Sequence, residues 1–515
     1  MTALAAADLV QSVDWTTIAP PTLTALVGLV VLVADLFVPA ARKQFLGWTA
    51  IGGLAAALAL LVPLRDGDHA TFCLTLDTQL RACSYTADRF TVVIQFLVLA
   101  GALVTALLSV ADTREKLPPG EYWFLLLASA AGAALLPAAR DLATLVVALE
   151  VASLPAFALV GLKRGDRMSG EAALKFFLSS VTATAVTLLG VSFVYAATGT
   201  LHLTEIAARL GDVPGQLHTL AQAGVVLALV GFAFKTAVVP FHFWVPDTYV
   251  GAPLPVAAYL SVVGKAVGFT GVILLTVGAF PAYADVWGPA LAVLAALTMS
   301  VGNVAALRQS TTRAWSAVRL LAWSSIAQAG YLLVPIAAAA YTGDDQIGAT
   351  VAYALMYAVV NLGAFAVVAL VARTAPELRL TDHRGLWSRR PLTALALGFF
   401  LLNLAGLPPG IIGLFAKVTV FSTAVDAGLG WLAVVMGVNV VIGLYYYLRW
   451  TALLFQGSGE TADAPVAGSA DPATAAVRAG VPAPITVAVV LTAAAGVVLS
   501  CWPETVLRYA TANLF

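Results

Sequence analysis

The sequence predicts an all-α polytopic membrane protein of about fourteen transmembrane helices. Three observations carry that prediction. Only 10% of the 515 residues are charged, against about 25% in soluble domains. The mean hydropathy is +0.93. The apolar residues also cluster in runs of about 20, the length that crosses roughly 30 Å of hydrocarbon as helix.

In chain order the runs lie near 22–41, 46–63, 88–110, 121–138, 141–162, 171–197, 221–243, 255–278, 286–306, 316–340, 347–372, 391–425, 430–454 and 481–503. Three longer loops separate them. Residues 64–87 carry Cys73 and Cys83. Residues 198–220 are amphipathic around Ile206 and Leu210 and are expected to lie on the membrane surface. Residues 456–480 are small, polar and proline-containing, the composition of a flexible cytoplasmic linker.

The loop charges orient the chain. With the N-terminus outside, 17 Lys and Arg fall in or beside cytoplasmic loops, among them Arg42, Lys43, Arg114, Lys116, Lys163, Arg164, Arg373 and Arg449; six fall outside. That bias predicts both termini on the extracytoplasmic side of the membrane. Cys73 and Cys83 then share one outside loop, where disulfides persist, and are expected to pair. No basic start precedes Arg42, so no cleaved signal peptide is expected.

Composition also excludes classes of function. The 27 basic and 27 acidic residues cancel, which argues against a nucleic-acid partner. Three scattered cysteines are too few to ligate an iron–sulfur cluster, and no GxGxxG or Walker loop is present. No redox cofactor, metal or nucleotide site is therefore read in this chain.

The informative residues are charges inside the runs. Lys175, Lys235, Lys265, Lys417 and Glu150 interrupt stretches that otherwise read as continuous spanning helix. A cation at the centre of a spanning helix costs about 2.5–3.5 kcal/mol on insertion scales, so it is retained where it meets a partner or a wet cavity. Lysines and a carboxylate on separate helices suggest a proton path. Lys175 is the weakest member, since Glu171 one turn earlier offers an ordinary i,i+4 pair and its stem can reach the interface.

Prolines accompany three of these charges. Proline removes one helix hydrogen bond and frees the carbonyl four residues back. Pro240 is expected to free Thr236, beside Lys235, and Pro155 to free Val151, beside Glu150. Pro408 and Pro409, between Gly406 and Gly410, are expected to open the backbone around Leu404 and Ala405, about two turns before Lys417. Such carbonyls at membrane depth need protein or water. His242 follows the Pro240 break, at the mouth of a path or as a helix cap. A carboxylate that approaches or leaves an ammonium changes its hold on a proton, so movement of Glu150 relative to Lys235 would act as a switch. The interrupted spans 7 and 12 are five helices apart, and an odd repeat length inverts the second copy in the membrane.

The string GFAFKTAVVPFHFWVPDTYVGAPLPVAAYLSVVGKAVGF at 231–269 resembles the signature of the antiporter-like membrane subunits of proton-pumping NADH–quinone oxidoreductase, respiratory complex I. Further matching segments follow in family order: 141–161, 169–180, 302–333, 356–368 and FFLLNLAGLPPGIIGLFAKVTVF at 399–421. They cover most of residues 121–425 and are closest to the members called subunit N. The resemblance implies two inverted five-helix repeats, spans 4–8 and 9–13, with helices 7 and 12 broken. The implied units are a three-helix segment (1–120), the first repeat (121–278), the second repeat (279–455), the linker (456–480) and a last helix (481–515).

The resemblance makes Glu150 and Lys235 a modulating ion pair, Lys265 the central relay and Lys417 the exit-side lysine. Where relatives often carry histidine in span 10, this chain has Gln328, which orders a wire but does not titrate near neutral pH. Ser324, Ser325, Tyr331, Tyr353, Tyr357 and Asn361 are candidates to line that wire instead. The implied partners are the neighbouring antiporter-like and small membrane subunits of a bacterial cell-membrane complex, embedded in the lipid bilayer. Flavin, iron–sulfur clusters, NADH and quinone would belong to other subunits. Two alternatives stay open, a subunit of a related multisubunit cation/proton antiporter and a structural membrane-arm subunit that does not pump.

Overall fold

The computed structural model describes residues 13–75, 81–457, 482–510, 512 and 514. Helix dominates. Among the described residues, eleven helices are long and apolar enough to cross a membrane. Residues 22–41, 46–63 and 391–425 instead meet shorter helices, Ala19–Asp35, Gln44–Ala59, Pro391–Ala405 and Ile411–Asp426. The linker prediction falls outside the described residues apart from Gln456 and Gly457.

Local chemistry sets the helix starts. Asp88, Asp141 and Asp166 stand at N-caps, each accepting backbone N–H groups from the first turn of Arg89–Glu115, Leu142–Val160 and Arg167–Thr198. Arg140 in turn binds the Asp88 carboxylate. Asp35 lies at the end of its helix and pairs with Lys43 at 2.8 Å.

One region departs from the all-helical expectation. His69–Thr75 and Arg81–Ala87 form an antiparallel hairpin with Cys73 directly opposite Cys83, and the two are joined by a disulfide. Within residues 198–220, Leu203–Leu210 forms a helix that buries Leu203, Ile206 and Leu210 along one face.

The core centres on Ser316–Thr342, Ile347–Ala372 and Leu254–Ala279. Their apolar windows are 94%, 94% and 89% buried, against 33% for Arg167–Thr198. Lipid tails are as apolar as leucine, so membrane helices associate through close packing of small residues. Gly302 and Gly330 show this between Ala284–Leu307 and Ser316–Thr342. A Cβ on Gly302 would stand 2.4 Å from the Ala327 nitrogen, and one on Gly330 would stand 2.5 Å from Met299 Cγ.

Candidate functional site: three lysines and two broken helices

Two spans are interrupted, and both interruptions hold a lysine. In the first, helix ends at Thr236 because Ala237 adopts a left-handed conformation (φ 69°). Residues 237–243 are non-helical, and helix resumes over Trp244–Gly251. Pro240 therefore lies within the interruption rather than inside a helix. The Thr236 carbonyl is taken by the Lys265 ammonium at 3.1 Å. The sequence reading expected that carbonyl to be free beside Lys235, and a lysine from the next span fills it.

In the second, Pro391–Ala405 ends at left-handed Gly406 and helix restarts at Ile411. Lys417 folds back across the gap and donates to the carbonyls of Leu404 and Ala405, both at 2.8 Å. These are the two carbonyls that Pro408 and Pro409 were expected to open. A helix C-terminus carries partial negative charge on its unpaired carbonyls, so each break is a ready-made seat for a cation. Pro155 behaves differently, because Leu142–Val160 runs through it without interruption.

Lys235, Lys265 and Lys417 are buried, at 5%, 2% and 9% exposure. Lys235 lies over aromatic faces, 4.8 Å from the Phe157 ring centre and 4.7 Å from that of Phe176. A small cavity of about 20 Å³ touches Lys235, Ser129, Ser153 and Tyr259 and reaches Gly264, next to Lys265.

Glu150 corrects the expectation of a buried ion pair. It is only half-buried, on the outward stripe that includes Val147, Val151 and Leu154. Its carboxylate accepts from the Thr184 hydroxyl at 2.7 Å. Among the described residues, no ion pair within 4.0 Å joins it to Lys235.

Lys175 does not join the cluster. It is half-exposed between Glu171 at 2.8 Å and Asp247 at 2.9 Å, an arrangement that the i,i+4 spacing anticipated in part. His242 sits in the first interruption, its ring 5.7 Å from that of Trp323.

Gln328 is at the centre of a polar network. Its amide donates to the Tyr447 hydroxyl at 3.2 Å and to the Leu404 carbonyl at 3.4 Å, the carbonyl that also holds Lys417. Tyr353 donates to its Oε1. Tyr447 also meets Ser324, Tyr357 donates to Ser325 at 2.9 Å, and Asn361 donates to Ser261 at 2.6 Å. The ring of Tyr331 lies 5.5 Å from the Lys417 ammonium. The residues expected to line the wire fall into separate hydrogen-bonded groups around Gln328, Ser325 and Asn361. Tyr447, on Gln328, Tyr249, 3.4 Å from Ser325, and Ser261, on Asn361, were missed; the Tyr445–Tyr447 run inside an apolar span was the signal available for the first.

Residues 139–443 match the family described as NADH:quinone oxidoreductase/Mrp antiporter, TM. The chain is 76% identical to NADH-quinone oxidoreductase subunit N 2 of Streptomyces griseus subsp. griseus, over 99% of this chain and 96% of the relative. It is 46% identical to subunit N of Salinispora tropica, over 87% and 86%. A chain of respiratory complex I from Thermus thermophilus, solved with bound aureothin, superposes with a TM-score of 0.76 at 32% identity, over 96% of this chain and all of that one. The chain belongs to the NADH–quinone oxidoreductase subunit N family of antiporter-like membrane subunits.

Proposed function

We propose that the chain is the proton-translocating membrane subunit N of a bacterial NADH–quinone oxidoreductase, with Lys235, Lys265 and Lys417 as the relay and Glu150 as its modulator. The observation that carries the relay is the seating of Lys265 and Lys417 on the carbonyl ends of two broken helices. An ammonium satisfies those carbonyls. A neutral amine keeps two N–H donors but loses the positive charge that the carbonyl dipoles attract, so proton departure weakens each seat.

Electron transfer from NADH through flavin and iron–sulfur clusters to quinone takes place in other subunits, and this chain carries no redox centre of its own. That chemistry resets the charge balance around Glu150 and Lys235. Protons enter from the cytoplasm, pass along the lysines and leave outside. Neighbouring antiporter-like and small membrane subunits cover the lateral faces of the chain in the cell membrane, and both termini face outward.

A second reading is a subunit of a multisubunit cation/proton antiporter, since the family description spans both classes. The 76% identity to an oxidoreductase subunit favours the first, and co-purification with flavin and iron–sulfur subunits separates them. Lys417→Ala in the assembled complex tests the relay, with proton pumping expected to fall several-fold. Unchanged pumping would leave a structural membrane-arm role.

A further inference from the structure

The 36–43 connection, the end of Arg89–Glu115 with its 116–118 connection, and Arg164 beyond Leu142–Val160 enclose a cavity of about 560 Å³. That volume falls within the range of about 300–1,000 Å³ found for small-molecule sites. Both helices are long and apolar enough to cross a membrane, so a cavity at their ends lies at the level of lipid headgroups. Its charged lining is Lys43, Arg114, Lys116 and Arg164, against one carboxylate, Glu115. Its floor includes Thr113 and Leu117, both buried.

The positive charge of this lining is only partly balanced. Glu115 is engaged by Arg373 at 2.6 Å. Lys43 is balanced by Asp35 at 2.8 Å, and Arg164 loosely by Glu121 at 3.4 Å. Among the described residues, no carboxylate stands within 4.0 Å of Arg114 or Lys116, and both are exposed. Gln44 also lines the cavity and opens Gln44–Ala59, a 16-residue helix whose first turn no side chain caps. Its N-terminal N–H groups add partial positive charge at the rim. The neighbouring chain is apolar: Leu36, Phe37, Phe45 and Trp48, which bracket Lys43 and Gln44, are all half-exposed or more. Tryptophan at a span end is a common interfacial anchor. A soluble anion would use the charge alone, whereas an amphiphile uses the charge and the apolar surface together.

We propose that this cavity binds the phosphodiester headgroup of an anionic glycerophospholipid, with Arg114 and Lys116 as its main contacts and the acyl chains against Leu36, Phe37, Phe45 and Trp48. The inference is independent of the relay. The Arg114 guanidinium offers phosphate a two-pronged seat and the Lys116 ammonium a point charge. Basic pockets between spans recognise such headgroups. The lipid acts as a clip, joining the connection between Ala19–Asp35 and Gln44–Ala59 to the one between Arg89–Glu115 and Pro119–Leu135.

Photolabelling of the intact complex tests the site. The complex is reconstituted in phosphatidylcholine vesicles that contain a trace of phosphatidylglycerol with a photoactivatable acyl chain. We expect cross-links at residues 36–48, displaced by unlabelled phosphatidylglycerol but not by added phosphatidylcholine or, at constant ionic strength, by inorganic phosphate. Arg114→Gln combined with Lys116→Gln should lower that labelling several-fold in the assembled complex. Equal labelling from photoactivatable phosphatidylcholine would show lipid contact without recognition of charge and overturn the proposal. Displacement by inorganic phosphate would reassign the cavity to a soluble anion. Unchanged labelling in the double variant would remove its cations from the site. The competition arms use the unaltered complex, so they decide the matter even where the double variant does not assemble.

Discussion

Lys417 reaches two carbonyls because the backbone that owned them has stopped being a helix, and Lys265 reaches one for the same reason. Among the described residues Lys235 has no such seat and rests against aromatic rings. That difference predicts different sensitivities. Lys235→Ala and Glu150→Ala should each cut NADH-driven pumping several-fold while the complex assembles. Glu150→Asp should retain part of it, because the charge survives on a shorter arm. Lys235→Arg should do poorly, since guanidinium does not release its proton in proteins. Proton uptake by assembled variants in vesicles checks all four, and normal uptake in Lys235→Ala would remove it from the path. Gln328 gives a separate test. Gln328→Leu removes a donor and an acceptor from a buried network, where an unpaired polar partner costs about 1–3 kcal/mol, and should impair pumping. Gln328→His restores a hydrogen-bonding ring and should be tolerated. Full coupled activity in the leucine variant would show that no wire uses this side chain.

At the scale of elements, the interruptions were legible in the sequence and the network between them was not. Proline and glycine act on their immediate neighbours, so Pro408, Pro409 and Gly406 announce which carbonyls open. The Gln328–Tyr447 contact joins residues 119 positions apart, and no local rule reports it. Glu150 was misplaced for a related reason. Its helix is apolar on every side, so periodicity does not say which stripe faces outward. The hairpin at 69–87 escaped because it lies between spans, where apolar run length carries no signal. One connecting element carries a pH prediction. His383, in the short helix Leu380–His383, is fully buried against Trp450, and burial pushes its imidazole down to about 4. Unfolded histidine titrates near 6.5, so this segment is at full stability above that value. Stability falls as pH drops from about 6.5 toward 4, by about 2 kcal/mol at pH 5. Thermal unfolding of the solubilised chain at pH 7 and pH 5 should show the loss, and His383→Gln should flatten it. An unchanged pH dependence in that variant would show that His383 is not its source.

For the molecule as a whole, apolar run length and composition made the membrane fold legible, while sidedness rests on loop charge. Cys501 offers a direct check. It is exposed at the end of Ala483–Cys501 and is the one free cysteine among the described residues. In right-side-out vesicles an impermeant thiol reagent should label it, and in inside-out vesicles it should be protected. The opposite pattern would reverse the orientation and with it the direction assigned to the relay. The Cys73–Cys83 cross-link has a consequence for biogenesis. Thiols are oxidised only after they reach an oxidising compartment, so the hairpin keeps a permanent record of delivery. A chain inserted upside down, or stalled before its first loop is exported, would retain two alkylatable thiols. A single gel shift would then count the failures of insertion in a living cell.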